Sequence, residues 1–383
     1  MSNLALILFW LAFVFVLYTY IGYPVLIALL ARSPWAKTQT DNDAPPEPAE
    51  WPSIALIIPV NNEAHRLPVK LESLGEIDYP RDKISITFVS DGSEDETNAI
   101  LEKNEIVNLV AYHPRAGKPT ALNRGAENQT ADILVFTDAR QTLAKDAVKK
   151  LVARLLLPGI GAVSGELVHY EAGSSTSQNV GLYWRYEKWI RENESQFNSV
   201  AGVTGALYAI YRKDFHLIPE DTLLDDFEIP MHVLEQRKRV LFEAGAVVYD
   251  YLQEDTEKEK TRKIRTLTGN FQSFARNLWL FSPSKNPIWL QFLSHKVFRL
   301  YVPYALILMV LTTFLIHHWF YQFAFWGQVI FYGLAIASRH SKTLRGNRWA
   351  SFANVFLELN IAAVYALMQY SKNSADVKWE RTA

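Results

Sequence analysis

The sequence predicts an α/β domain, built on a mostly parallel sheet and inserted between transmembrane helices. Three observations carry that reading. Residues 1–31 contain no Asp, Glu, Lys or Arg, and Leu300–Ser338 is a second run of 39 residues without a charge. Between them, short β-branched runs recur: Ser53–Pro59 (SIALIIP), Ile84–Ser90 (ISITFVS) and Ile133–Thr137 (ILVFT). Helix-like stretches such as Glu63–Leu74 and Glu94–Asn104 separate these runs. Near-continuous apolar strands alternating with helices argue for a sheet covered on both faces.

Taken in chain order, Leu4–Ala31 is long enough to cross a bilayer. A cleaved signal peptide has a basic start, a shorter apolar core and a small-residue cleavage site. None is evident, so residues 1–31 read as a retained anchor. Residues 32–52 form a linker, in which Asp41–Pro52 (DNDAPPEPAEWP) is acidic and Pro-rich. The α/β domain follows over residues 53–250. Residues 251–299 read as amphipathic interfacial helices, because Ile264, Leu267, Phe271, Phe274 and Leu278 recur every three or four residues in Arg262–Phe281. Within the C-terminal membrane region, residues 300–371, the long uncharged run folds as two spans with a hairpin near His317-His318-Trp319. Trp349–Ser371 carries Glu358 and either spans or lies along the interface; residues 372–383 are a tail. Tyr183–Glu194 (YWRYEKWIRENE) either lines an acceptor channel or, the preferred reading, is an ordinary packed helix, with Trp184, Glu187 and Arg191 at helical spacing and one solvated face.

Orientation follows from Lys and Arg beside the spans. Arg32 and Lys37, then Lys296 and Arg299, then Arg339, Lys342, Arg345 and Arg348 all fall on one side of the bilayer. That side is expected to be the cytoplasm, giving a multi-pass protein of the cell (inner) membrane with a cytoplasmic central domain.

Composition narrows the function. The 383 residues are 49% hydrophobic, 13% aromatic and 21% charged, with 39 Lys and Arg against 40 Asp and Glu. A chain this near neutrality lacks the basic excess of a nucleic-acid binder. Absence of cysteine excludes a disulfide scaffold, a cysteine nucleophile, thiolate zinc and iron–sulfur clusters.

In parallel sheets, ligands sit beyond the carboxyl ends of the strands. There the sequence places Asn61-Asn62-Glu63, then Asp91-Gly92-Ser93, then Asp138-Ala139-Arg140. Singly, each also fits a turn or helix cap. Together, three acidic strand ends on one rim suggest a polar pocket for a base, a ribose and a metal–diphosphate.

The motifs IIPVNNE (Ile57–Glu63), SDGSEDET (Ser90–Thr97), GKPTALNRG (Gly117–Gly125), FTDAR (Phe136–Arg140), GALYAIYR (Gly205–Arg212) and LLDDFEIP (Leu223–Pro230) resemble, in this order, membrane-bound family 2 glycosyltransferases. The likeness is to the branch of cellulose, hyaluronan and poly-N-acetylglucosamine synthases. It implies a GT-A type nucleotide-sugar-binding domain, a UDP-sugar donor, a lipid-linked or glycan acceptor and a Mg²⁺ or Mn²⁺ cofactor. By position, it implies that Glu63, Asp91, Arg115 and Lys118 bind the nucleotide sugar, with Arg265 clamping the phosphates and Arg262 beside it in the nucleotide-sugar site; Arg140 either pairs with the phosphates or turns outward. The metal ligand falls on Asp138, and the acidic pair on Asp225-Asp226, with Asp226 the general base of an inverting transfer. A helix start is the plainer alternative for that pair.

Two positions depart from the resembled pattern. Arg140 stands where many relatives carry Asp or Asn, and a guanidinium does not bind a cation. In the interfacial Gln-x-x-Arg-Trp motif, Arg262 and Thr266 replace the Gln and Trp, so no aromatic face is left there for a sugar. That favours one or few additions over a long polymer. A polyprenyl-phosphate acceptor, which needs no general base, and a non-catalytic nucleotide- or glycan-binding component remain open.

Overall fold

A computed structural model describes residues 2–37, 47–170, 175–251, 256–341, 344 and 346–372. The chain starts as one long helical rod: α1 (Ser2–Leu17), a π-helical turn over Tyr18–Gly22, and α2 (Tyr23–Ala31). Of the acidic linker expected over Asp41–Pro52, residues 41–46 lie outside the described residues, as do Lys342 and Arg345 of the basic clusters.

The central domain runs β1 (Ile54–Val60), α3 (Leu67–Gly75), β2 (Ile84–Asp91), α4 (Thr97–Glu102), β3 (Asn108–Tyr112), α5 (Lys118–Glu127), β4 (Ile133–Thr137), β5 (Thr142–Leu143), α6 (Ala147–Leu155), β6 (Ile160–Tyr170), α7 (Ser175–Phe197), β7 (Leu207–Tyr211), α8 (Asp225–Glu235) and β8 (Arg239–Tyr251). Its sheet has the order β3-β2-β1-β4-β7-β6-β8-β5. Strands β3, β2, β1 and β4 are parallel neighbours, and β7 runs antiparallel beside β4.

Period-two alternation sorts the strand residues into two cores. Ala55, Ile57, Leu134 and Phe136 face α5 and α8. Ile54, Leu56, Ile58, Ile133 and Val135 face α3 and α6. Every residue of β1 is buried, so the apolar runs cannot alternate with polar ones. Close approach of α5 to the sheet needs Gly125, where an added Cβ would stand 2.6 Å from Ile57 Cγ2. The acidic strand ends thereby share one rim, beyond β1, β2 and β4.

After β8 come α9 (Thr256–Arg276), α10 (Trp289–Gln291), a π-helical turn over Phe292–Val297, α11 (Phe298–Leu315), α12 (Trp319–His340) and α13 (Arg348–Ser371). Among the described residues, four helices are long and apolar enough to cross a membrane: Asn3–Ala31, Trp289–Leu315, Trp319–His340 and Arg348–Ser371. The hairpin falls where the sequence placed it, with the His318 ring accepting from Phe320 N to start α12. Trp349–Ser371, expected either to span or to lie along the interface, is one continuous helix long and apolar enough to span.

Three expectations need correction. The second membrane helix does not begin at Leu300; helical structure is continuous from Trp289, because Lys296 and Arg299 turn inward against α7 instead of marking the span's edge. The amphipathic helix stops at Arg276, not Phe281. Asn277 leaves helical geometry, its buried side chain donates to both Glu228 oxygens at 3.0 Å, and Leu278 is 70% exposed. Finally, Glu187 and Arg191 of α7 do not lie on a solvated face. Glu187 pairs with Arg299, and Arg191 donates to Ser164 Oγ at 2.6 Å.

Candidate active site

The loops after β1 and β2 are stitched together. Asn61 Nδ2 donates to Asp91 O at 2.7 Å, Asn62 N to Ser93 Oγ at 3.2 Å and Glu63 N to Thr97 Oγ1 at 2.9 Å. The Glu63 carboxylate turns to Arg66 at 2.6 Å. Asp91 is fully buried and accepts from the amides of Ala116 (2.6 Å) and Gly117 (2.8 Å). It therefore fixes the turn that carries Arg115 and launches α5. Gly92 permits this close approach: its φ is +64°, and a Cβ there would stand 2.9 Å from Arg115 N.

With its backbone so held, Lys118 projects from the first position of α5 to the acidic residues. Its Nζ lies 2.9 Å from Asp138 Oδ1, at the end of β4, and 3.2 Å from Asp225 Oδ2, in the first turn of α8. Burial works against the Lys118 charge, but Asp138 and Asp225 outweigh it and hold the ammonium well above the ordinary lysine value. Asp226 Oδ2 accepts from Gly205 N at 3.3 Å. Burial first, and the neighbouring Asp225 charge second, push Asp226 from 3.8 up to about 6, against the pull of Lys118 and Lys296. Gly205 keeps the cradle open, since a Cβ there would sit 3.3 Å from Lys118 Nζ and 3.5 Å from Asp226 Oδ2. Asp225 and Asp226 do start a helix, so the plain reading and the chemical one hold at once.

Arg140 does not enter this cradle. It forms an ion pair with the buried Asp250 of β8, to which Gln141 Nε2 also donates at 3.2 Å. Arg262 and Arg265 ride on α9. One turn further along, Gly269 packs so tightly that a Cβ would meet Leu224 Cγ at 2.5 Å, which sets α9 against the residues preceding the acidic pair. Among the described residues, no group of three His, Cys, Asp or Glu side chains is arranged to hold a metal ion by itself. Asp138, about one-third exposed, offers one hard carboxylate at the rim.

One residue absent from the sequence reading is Lys70. It is 1% exposed, and its Nζ donates to Gln141 O at 2.8 Å and to Thr137 Oγ1 at 3.4 Å, directly behind Asp138. Burial lowers it to about 7, against the pull of Asp138. The signal was present: Leu67, Lys70 and Leu74 occupy one helical face, and the outer two are core residues.

Residues 55–217 match the Glycosyl transferase family 2 profile. The chain is 25% identical over 234 residues to a probable glycosyltransferase, YdaM, of Bacillus subtilis, covering 58% of this chain and 56% of that protein. It is 29% identical over 196 residues to an N-acetylglucosaminyltransferase of Mesorhizobium japonicum, covering 48% and 44%. The matches thus span about half the length of these curated relatives. The fold is that of a solved mannosyltransferase, PcManGT of Pyrobaculum calidifontis, in complex with GDP-Man and Mn²⁺. The TM-score is 0.70 at 20% identity, over 96% of this chain and 99% of that one.

Proposed function

Starting from residues 55–217 as a family 2 glycosyltransferase domain of a nucleotide-sugar transferase, we propose an inverting hexosyl transfer, from a UDP-sugar to a hydroxyl of a lipid-linked or glycan acceptor. The observation that supports it is the cradle in which Lys118 joins Asp138 to Asp225, with Asp226 beside Gly205.

Asp226 takes the proton of the attacking hydroxyl. The new bond forms between that oxygen and the anomeric carbon, while the bond from carbon to diphosphate breaks and its electron pair leaves with the nucleotide. A base near the working pH suits this step, and about 6 is such a value. Lys118 and Arg115 face the departing negative charge, with Arg262 and Arg265 approaching from α9; stabilisation is greatest where charge grows during reaction. Asp138 fits a hard divalent cation shared with substrate phosphates, the manner in which Mg²⁺ is commonly bound by one or two carboxylates. Such a cation, Mg²⁺ or Mn²⁺, supplies neutralisation of the diphosphate. Asp91 and Glu63 line the nucleotide end, whereas Arg140 acts from behind by anchoring the strand end to β8.

Arg32 and Lys37 after the first span, with Arg339 and Arg348 at the adjoining ends of the last two, support a cytoplasmic domain in a multi-pass cell membrane protein. Thr266 in place of an aromatic favours one or few additions. The test is a donor panel: membranes with UDP-glucose, UDP-N-acetylglucosamine or GDP-mannose, following nucleotide release and labelled lipid or polymer. Release from at least one donor, abolished in Asp226→Asn, is expected. No release from any donor, with Mn²⁺ supplied, defeats the proposal.

A further inference from the structure

The seam between α7 and the start of the second membrane helix holds charges that the transfer step leaves unused. From α7 come Glu187, Arg191 and Glu194; from the membrane side come Tyr23, His295, Lys296 and Arg299. Most are matched. The His295 ring lies between the two carboxylates, Nδ1 2.8 Å from Glu194 Oε1 and Nε2 3.0 Å from Glu187 Oε2. Tyr23 donates to Glu194, and Arg299 Nη1 pairs with Glu187 at 2.5 Å.

Two cations keep donors to spare. Nε and Nη2 of Arg299 are buried without an acceptor. Among the described residues, Lys296 makes no ion pair, and its Nζ is 4.0 Å from where a Gly202 Cβ would stand, a point 3.7 Å from Asp226 O. Buried N–H groups without acceptors are expensive, more so on a charged group. The same seam leaves Glu194 Oε2 without a donor.

An apolar groove lies near this point. It encloses about 220 Å³ between α11, α12 and α13, lined by Pro303, Leu306, Ile307, Leu357, Ile361 and one polar residue, Asn360. That is below the roughly 300–1,000 Å³ that encloses a whole small ligand, so it suits a stretch of chain. Pro303 is four residues, about 6 Å, beyond Arg299 on the same helix. Tyr20 neighbours both Asn360 and Arg299.

We propose that the acceptor is an anionic lipid whose phosphate seats on Lys296 and Arg299, whose chain lies in this groove, and whose headgroup hydroxyl reaches Asp226. The proposal rests on the glycosyltransferase reading. A guanidinium fork and, three residues before it on the same helical stretch, an ammonium match the several oxygens of one phosphate. A hydroxyl as nucleophile follows from Asp226, which an already ionised phosphate oxygen would not need.

The test uses the full-length protein in detergent and native mass spectrometry. The probes are phosphatidylglycerol, whose headgroup carries free hydroxyls, a diacylglycerol with the same chains, and inorganic phosphate. Retention of phosphatidylglycerol at least tenfold above either other probe is expected, since the site needs both phosphate and chain. Lys296→Met, which breaks no ion pair, should weaken it about tenfold, with recovery in Lys296→Arg. Arg299→Lys, which keeps the charge facing Glu187 but loses the spare fork donors, should weaken it several-fold. Equal retention of diacylglycerol, phosphate binding as tightly as the lipid, or an unchanged Lys296→Met variant would each overturn the proposal. Calorimetry with UDP-sugars and Mn²⁺ on the same sample separates the failures, because lost donor binding defeats the glycosyltransferase reading while lost lipid binding defeats only this one.

Discussion

As the proposed general base, Asp226 should set the acid limb of the pH profile. Its value of about 6 against an ordinary 3.8 has a direct consequence for rate. At pH 5 about one molecule in ten carries the ionised base, and at pH 7 about nine in ten. Turnover should therefore rise about tenfold between these values. An unperturbed aspartate would be more than nine-tenths ionised at both, and the profile would be flat. The donor's diphosphate, as a diester, does not titrate in this range. The assay is nucleotide release at saturating donor from pH 4.5 to 8, in purified protein. Asp226→Asn should cost about 10²–10⁴ in rate at pH 7, the usual worth of a general base. Neighbours then move the limb in opposite senses. Asp225→Asn removes a like charge and shifts it to lower pH; Lys296→Met removes an opposing one and shifts it higher. A flat profile, or limbs that move the other way, would refute the assignment. The stability sign is also fixed. Because folding raises this carboxyl, its contribution declines as pH climbs from 3.8 through about 6 and is constant above.

Further outcomes follow from other buried charges. Arg140→Met strands the buried Asp250 and should cost about 3 kcal/mol or more of stability, seen in urea denaturation; Arg140→Met with Asp250→Asn should recover most of it. Lys70 is depressed on folding to about 7, so stability should rise with pH from about 7 toward 10.5; the gain, read as melting temperature from pH 7 to 9, should shrink in Lys70→Met. Glu187 is the reverse: burial alone would raise it, but Arg299 and His295 hold it well below 4.5, so its stabilisation is lost as pH falls below that value, and Glu187→Gln should flatten the acid loss of melting temperature. UDP should bind at least tenfold more weakly by calorimetry without Mn²⁺ than with it, a difference reduced in Asp138→Asn. Metal-independent binding would remove Asp138 from its proposed role.

Where hydrophobic period and charge act locally, the fold could be read in advance. β4 falls on Ile133–Thr137, and the membrane hairpin turns at His318. Helix starts were harder: α3 begins at Leu67, not Glu63, because Glu63 is spent on Arg66 and Thr97 before the chain turns helical. Long-range pairing was invisible. Glu187 and Arg299 are 112 positions apart, and Arg140 and Asp250 110, so nothing in either neighbourhood announces the partner. Lys70, Lys296 and Arg191 were misplaced for one reason. A charged side chain is assigned to water by default, whereas Lys70 is buried between α3 and the end of β4, and Arg191 and Lys296 are held where α7 meets the sheet and the membrane helices.

These charges make Asp226 a junction between two fields. On the rim, three carboxylates share one ammonium, Lys118, so the cradle is negative and disfavours a bare diphosphate; donor and cation must arrive as partners. On the membrane side, Lys296 adds a positive charge that lowers the affinity of Asp226 for a proton. A phosphate seated on Lys296 would screen that charge and raise the affinity, so the carboxylate would become the stronger base when the hydroxyl it must deprotonate is in place. By linkage the converse holds too: protonating Asp226 removes a negative charge beside the phosphate site and should tighten lipid binding. Retention of phosphatidylglycerol, whose phosphate diester does not titrate in this range, should thus be stronger at pH 5 than at pH 7 in the native chain, and this preference should shrink in Asp226→Asn.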